Sequence, residues 1–414
     1  MSVAAKSGAR AGFDPRAVKR DFPIFTNNPG VVFLDSAASA QKPASVIDRV
    51  SDFYRHDYAN VHRGVYRLSV KSSELYENAR DRAAKFLNAA DPSEIIFVRG
   101  ATEGINLVVY SWGAANLKAG DEVLITELEH HANIVPWQIL RDRIGFTLKV
   151  APIDATGGID MAVLESLIGP KTKMVAVTQL ANATGALVPV EAIIRLAHAK
   201  GALALIDGCQ AAPRMMVDVQ ALDCDFYVFS GHKMYGPTGI GVLYGKRALL
   251  QEMPPWQGGG DMILNVTFEK TTFQEPPARF EAGTPDISGA IGLATALDYI
   301  DALGRDAIAA HEAELTEYGI GVLSRMPGVK LVPAGQRRFG ILSFGVDGVH
   351  PHDLATILDQ HSVAVRAGHH CAQPLMDKLN LAATTRASFG VYNDERDIDS
   401  LAAAIKAAQV MFAD

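Results

Sequence analysis

Between residues 94 and 244, short apolar runs alternate with amphipathic stretches, and this constrains the fold more than any other feature of the chain. Residues 94–98 (EIIFV), 122–125 (EVLI), 147–151, 174–178, 202–206 and 226–230 have strand length, and most are apolar throughout. Such strands must be covered on both faces. Helical patterns over residues 103–117, 133–144, 161–168 and 190–200 lie between them. Strand, helix, strand in series implies right-handed crossovers and a mostly parallel sheet between two helical layers. Residues 240–244 begin only ten residues after Ser230. That leaves no room for a crossover helix, so this strand is expected to run antiparallel to its neighbour.

After about residue 290 the pattern changes. Helices are expected over 290–303, 305–325, 352–361 and 397–412, and strands over 340–346, 363–366 and 386–391. They make a smaller α+β domain. The expected fold class is α/β, with a large domain built on a mostly parallel seven-stranded sheet. Its divisions are a flexible tail (1–13), a segment packing with the small domain (14–40, with an isolated strand at 31–34), the large domain (41–290) and the small domain (291–414). The cleft between the two domains is the default site.

Composition narrows the function classes. A formal net charge of −7 argues against binding nucleic acid by general electrostatic attraction. No apolar run is long enough for a transmembrane helix, so no membrane partner is expected. Three cysteines, 209, 224 and 371, form no disulfide framework and contain no CxxC pair. The first twelve residues carry Lys6 and Arg10 without an acid, but lack the apolar core of a targeting peptide. A cytoplasmic location is the expectation. Some patterns are decoys. Residues 239–245 are glycine-rich but lack GxGxxG spacing. The sequons at Asn182 and Asn265 mean nothing in a cytoplasmic chain. The pairs His130–His131 and His369–His370 point to opposite sides of an extended backbone, so no metal site is expected.

The chemistry-bearing residues follow strand ends. Asp207 ends the run 202–206, and Lys233 follows the run 226–230. In parallel sheets these carboxyl ends line the ligand crevice. An acid and an amine there suit pyridoxal phosphate: the lysine forms a Schiff base, and the acid keeps the pyridine nitrogen protonated. Taken alone, the pair would read as a buried ion pair. Other strand ends shift the balance. Residues 99–104 (RGATEG) open a helix, offering backbone N–H groups and the Thr102 hydroxyl to a phosphate. Ser230 and His232 add donors, and His130 is placed to stack on a planar ring or carry a proton. Cys371 lies in a Gly- and His-containing loop after Arg366, His369 and His370. Those neighbouring cations are expected to favour its thiolate, making it a nucleophile and not a buried filler.

Residues 60–64 (NVHRG), 129–137 (EHHANIVPW), 230–239 (SGHKMYGPTG), 279–285 (RFEAGTP) and 366–371 (RAGHHC) carry a resemblance from about Phe22 to the C-terminus. The chain resembles fold-type I pyridoxal phosphate enzymes of the class-V aminotransferase group, and within it the short-loop cysteine desulfurases of the Suf type. The resemblance implies Lys233 as the Schiff-base lysine, Asp207 at the ring nitrogen, Gln210 on the ring hydroxyl and His130 on the ring face. Thr102, Ser230 and His232 would hold the phosphate, with Thr284 reaching in from the other subunit of a homodimer. Asn182 and Arg386 would hold the substrate, with Arg366 as the alternative carboxylate clamp, and Cys371 would take the sulfur. L-Cysteine would give L-alanine and a persulfide, passed to a sulfur-acceptor protein of the Suf system for iron–sulfur cluster assembly. A selenocysteine lyase, another class-V enzyme and a non-catalytic scaffold are the rivals. Two departures stand out. Ala101 replaces a frequent second Thr, and Cys209, like Cys224, reads as a small buried apolar side chain.

Overall fold

The computed structural model describes residues 13–412, so the expected tail, apart from Phe13, lies outside the described residues. The seven expected strands form one sheet. In spatial order they are Ile95–Val98, Gly241–Gly245, Phe226–Ser230, Leu203–Asp207, Thr172–Thr178, Glu122–Thr126 and Thr147–Ala151. Gly241–Gly245 is antiparallel to both its neighbours, and the other pairings are parallel. The apolar runs are explained by burial on two faces. Phe86, Ile193 and Tyr227 belong to one core, and Val123, Trp137 and Leu205 to another.

The C-terminal part carries a four-stranded antiparallel sheet ordered Val329–Leu331, Ile341–Val346, Thr384–Ser388, Arg366–Gly368. A third core of Leu342, Phe344, Phe389, Leu401 and Ile405 lies beneath it. The N-terminal segment joins this region: Val32–Phe33 pairs in parallel with Val363–Ala364, and Asp35 bridges Ser388.

Several local expectations are corrected. The single strand at 363–366 is two, because the chain changes partner from Val32–Phe33 to Thr384–Ser388. The strand expected at 386–391 spans Thr384–Ser388, and the Gly390 amide then turns to Asn393 Oδ1 at 2.9 Å. The helix expected at 103–117 breaks after Ala101–Val108 into a π-helical turn, Val109–Gly113. Strand Val329–Leu331 and helix Arg67–Leu87 were not anticipated. Its buried positions start with Ser69 and Ser72 and include Arg80, so the start of its inner face lacks apolar markers, while Tyr76, Phe86 and Leu87 supply the large apolar side chains further on.

One close contact fixes the strand end that carries Asp207. A Cβ added to Gly208 would fall 2.0 Å from the Tyr227 ring. That ring cannot retreat, being fully buried with its hydroxyl donating to Gln179 Oε1 at 2.6 Å. Gly208→Ala should therefore destabilise the protein by about 1–3 kcal/mol in denaturant titrations. Gly169→Ala, with nothing within 4 Å of the new methyl, should stay within about 0.5 kcal/mol of the parent.

Candidate active site

The carboxyl ends of five strands open onto one cavity of about 390 Å³. Thr102, His130, Asn182, Asp207, Gln210, Ser230, His232, Lys233, Arg366, Cys371 and Arg386 all line it. Of the expected residues, Thr284 alone lies elsewhere, in a second cleft with Tyr76, Arg99 and Glu281.

Parallel register assembles the cavity. Thr178 faces Asp207 and Asp207 faces Val228, so adjacent strands finish level. Asp207 Oδ1 accepts the Cys209 amide at 2.9 Å. Gln210 Nε2 donates to Ala37 O at 2.8 Å, which leaves its buried Oε1 without a partner. Ser230 Oγ accepts the Ala101 N–H at 2.9 Å, tying the start of helix Ala101–Val108 to the turn that carries Lys233. Cys209 is buried as expected, its thiol pushed up to about 12 by desolvation and then by Asp207. It is also a wall of the cavity, with Sγ 3.8 Å from Ser230 Oγ.

The opposite wall holds two arginines. Asp35 receives Arg366 through Nε at 3.1 Å and Nη2 at 2.8 Å, and Arg386 Nη2 at 3.4 Å. Arg386 is 2% exposed, donates from Nη1 to Asn182 O at 2.9 Å, and keeps Nε buried without a partner. Burial lowers its guanidinium to about 10, still charged at neutral pH. The Asn182 amide is committed to His370 O at 2.6 Å, so it braces the Cys371 loop as well as lining the cavity.

Cys371 is exposed, and both it and His370 have φ of +54°, an uncommon conformation for side-chain-bearing residues. The loop is pinned from outside. His131 donates its amide to Cys371 O at 2.8 Å and accepts the Gln373 amide on Nε2 at 3.1 Å. The expected crowd of cations is corrected. Desolvation, reinforced by Arg386, pushes His370 down to about 3, so it is neutral at physiological pH. The positive charge that senses Cys371 is Arg366, held protonated first by Asp35. His130 and His232 are likewise pushed down to about 4, by desolvation first and the Lys233 charge next. His130 Nδ1 accepts the Ala132 amide at 3.0 Å, which assigns the proton to Nε2.

Sequence reasoning missed Asp35, Glu129 and the bracing role of His131. Glu129 is buried and ties three elements: it accepts from Thr126 Oγ1 at 2.6 Å, Thr178 N at 3.1 Å and Asn133 Nδ2 at 2.8 Å. The only prior signal for Asp35 was an acid just after a short apolar strand.

The donor set fits pyridoxal phosphate. An acid and an amine flank the cavity, backbone and hydroxyl donors gather at a helix start, and Gln210 Oε1 waits for a donor. With the seven-stranded mostly parallel sheet, these features define the class: a fold-type I pyridoxal phosphate protein. Residues 32–401 match the class-V aminotransferase family, and the chain belongs to it. It is 49% identical over 408 residues to a cysteine desulfurase of Synechococcus elongatus, covering 98% of this chain and 65% of that one. A probable cysteine desulfurase of Mycobacterium leprae is 50% identical over 390 residues, 94% of this chain and 64% of its own length. The chain thus spans just under two thirds of these two relatives. A cysteine desulfurase of Escherichia coli strain SE11 is 49% identical, with 94% of this chain and 97% of the relative covered. Among solved structures, the Escherichia coli cysteine desulfurase CsdA superimposes with a TM-score of 0.90 at 39% identity, covering 97% of this chain and 100% of that one. The apo cysteine desulfurase of Thermococcus onnurineus NA1 gives 0.91 at 38%, with 95% and 98% covered.

Glu129 generates a stability prediction. Desolvation raises its carboxyl from 4.5 to about 7, against the hydrogen bonds from Thr126, Asn133 and Thr178. Below pH 4.5 both folded and unfolded chains hold the proton. As pH rises towards 7 the unfolded chain ionises first, so the folded state loses up to about 3 kcal/mol. Glu129→Gln should flatten that part of the stability profile, read from denaturant midpoints at about pH 5 and about pH 8.

Proposed function

We propose that the protein is a pyridoxal-phosphate-dependent cysteine desulfurase. It converts L-cysteine to L-alanine and moves the sulfur to Cys371 for iron–sulfur cluster assembly. The observation that carries this reading is a single cavity shared by Asp207, Lys233 and the exposed Cys371. The cysteine desulfurase names of its relatives agree with it.

Bound pyridoxal phosphate supplies an electron sink for the substrate Cα. Lys233 would hold the cofactor and, as a free amine, would take the substrate Cα proton. Asp207 would keep the ring nitrogen protonated, Gln210 would serve the ring hydroxyl, and Thr102, Ser230 and His232 would hold the phosphate. Arg386 clamps the substrate carboxylate, with Asn182 and Arg366 beside it. Neutral His130, its proton on Nε2, would stack on the cofactor and move a proton from that atom. The Cys371 thiolate attacks the substrate sulfur. The new S–S bond forms as the C–S bond breaks, the electron pair moves to carbon, and protonation releases alanine.

The protein acts as a homodimer, with Thr284 completing the partner's phosphate site. Its position outside its own chain's cavity supports this, as do the exposed Tyr54, Tyr58, Val65 and Tyr66. We place it in the cytoplasm and in the short-loop, Suf-type group. Fifteen residues separate Cys371 from Arg386. Hydrogen bonds from His131 and Asn182 hold the loop on either side of the thiol. A loop so tethered does not swing far, so the sulfur acceptor must enter the cleft.

Mass spectrometry after incubation with L-cysteine tests the function. The expected adduct is one extra sulfur on Cys371, matched by alanine release. Cys371→Ser should keep the visible cofactor absorption and lose the adduct, whereas Lys233→Ala should lose both. Parallel turnover of L-selenocysteine separates a selenocysteine lyase, and an absent adduct in the parent would reject the reading. A second expectation concerns turnover. Alone, the enzyme should load sulfur once and then run slowly, and a small sulfur-acceptor protein should raise steady-state alanine production. Full speed without acceptor or reductant would refute the tethered-loop argument.

A further inference from the structure

A phosphate dianion needs compensating charge, and the residues assigned to it supply none. Thr102 and Ser230 are hydroxyls, and His232 is pushed down to about 4 by burial. Arg99, next to the cradle, is exposed and already paired with Glu103. Behind His232 lies a cation with no described role. The Lys42 ammonium donates to Ala40 O, to Ser39 Oγ at 3.4 Å and to His232 O at 3.3 Å. All three acceptors are neutral, and no carboxylate pairs with Lys42 among the described residues. The same His232 carbonyl also receives the Ala40 amide at 3.0 Å and Ser39 Oγ at 3.4 Å. The Lys42 charge is thus fastened directly behind the peptide that joins His232 to Lys233.

A half-buried amine without a counter-ion is costly. Burial pulls Lys42 down to about 8, yet no carboxylate among the described residues pairs with it. Its field reaches His232, one of the causes that keep that imidazole neutral. An amine held only by carbonyl and hydroxyl oxygens, next to a cradle of neutral donors, is an incomplete ion pair whose anion is supplied from outside. Its charge acts from behind His232, and the start of helix Ala101–Val108, tied to Ser230, adds a dipole of the same sign to the cradle.

We infer that Lys42 is the counter-charge of the cofactor phosphate, a positioning residue that binds through charge from behind His232. This rests on the pyridoxal phosphate reading above. It assigns Lys42 to the phosphate end because its hydrogen bonds reach the carbonyl of His232, whose side chain lines the cavity with Thr102 and Ser230.

The test compares two probes on cofactor-free protein: pyridoxal 5′-phosphate and pyridoxal, which lacks the phosphate. Dissociation constants come from the visible absorption or from fluorescence quenching, so no turnover is needed. In Lys42→Met, pyridoxal phosphate affinity should fall about tenfold or more while pyridoxal affinity stays within about twofold. Lys42→Arg should recover most of the loss. Should Lys42→Met not fold, Lys42→Gln keeps a donor for the surrounding oxygens and gives the same comparison. Equal weakening of both probes would mean that Lys42 only braces the turn, and no weakening of either would remove it from the site; both overturn the inference. If the parent binds neither probe, the cofactor reading itself fails, an outcome distinct from these two.

Discussion

Everything the cavity contains depends on parallel strands finishing level along one edge. Asp207 is placed by its pairing opposite Thr178 and Val228, and Lys233 by the turn that follows Ser230. A slip of one residue would send Asp207 to the other face of the sheet and separate it from Lys233. The register is guarded by packing on both faces. Every residue of Phe226–Ser230 is buried, and Tyr227 lies so close to Gly208 that no side chain fits there. The fold itself positions the chemistry, and the loops beyond the strand ends only choose the functional groups.

Within that frame, burial decides which groups carry charge. The imidazoles of His130, His232 and His370 are all neutralised by desolvation, each helped by a nearby cation. They remain as neutral hydrogen-bonding groups. The positive charges left at the substrate end are Arg366 and Arg386, and Asp35 holds both. Arg386 needs that partner: without Asp35 its fully enclosed guanidinium would face only the Asn182 carbonyl. Asp35 and the Asn182 carbonyl thus fix the orientation of the Arg386 guanidinium at the cavity wall.

The sequence revealed most where structure is local or periodic. Most of the seven strands were legible because both faces are buried, which leaves apolar runs, whereas the edge strand Thr147–Ala151 is partly open to solvent. Residues at strand ends were legible because each follows such a run directly. Helix Arg67–Leu87 escaped because Ser69, Ser72 and Arg80 interrupt the apolar face that Tyr76, Phe86 and Leu87 complete. Asp35 and Lys42 escaped for another reason: their partners are 331 and 190 residues away, and no local pattern announces a contact of that span. The charge state of His370 was misjudged because adjacency in sequence says nothing about burial. Desolvation, visible only in the fold, outweighs the ring's ordinary basicity.

The Cys371 loop combines two properties that usually oppose each other. Its thiol is exposed, yet its backbone occupies two successive left-handed positions, each costing roughly 1–3 kcal/mol unless the surroundings enforce it. Enforcement comes from the sides of both sheets. His131 and Asn182 reach across from the large sheet, while His370 Nε2 meets Thr384 Oγ1 at 2.8 Å on the small one. On the proposed reading of Cys371 as the sulfur-accepting nucleophile, a slack loop would lose reach and orientation together, and a buried thiol would be closed to a second protein. A fixed backbone with an open sulfur would let one thiol face substrate on the cavity side and an acceptor on the other. On that reading the strain serves the thiol's two-sided task, and His131 and Asn182 brace it without bonding to the sulfur.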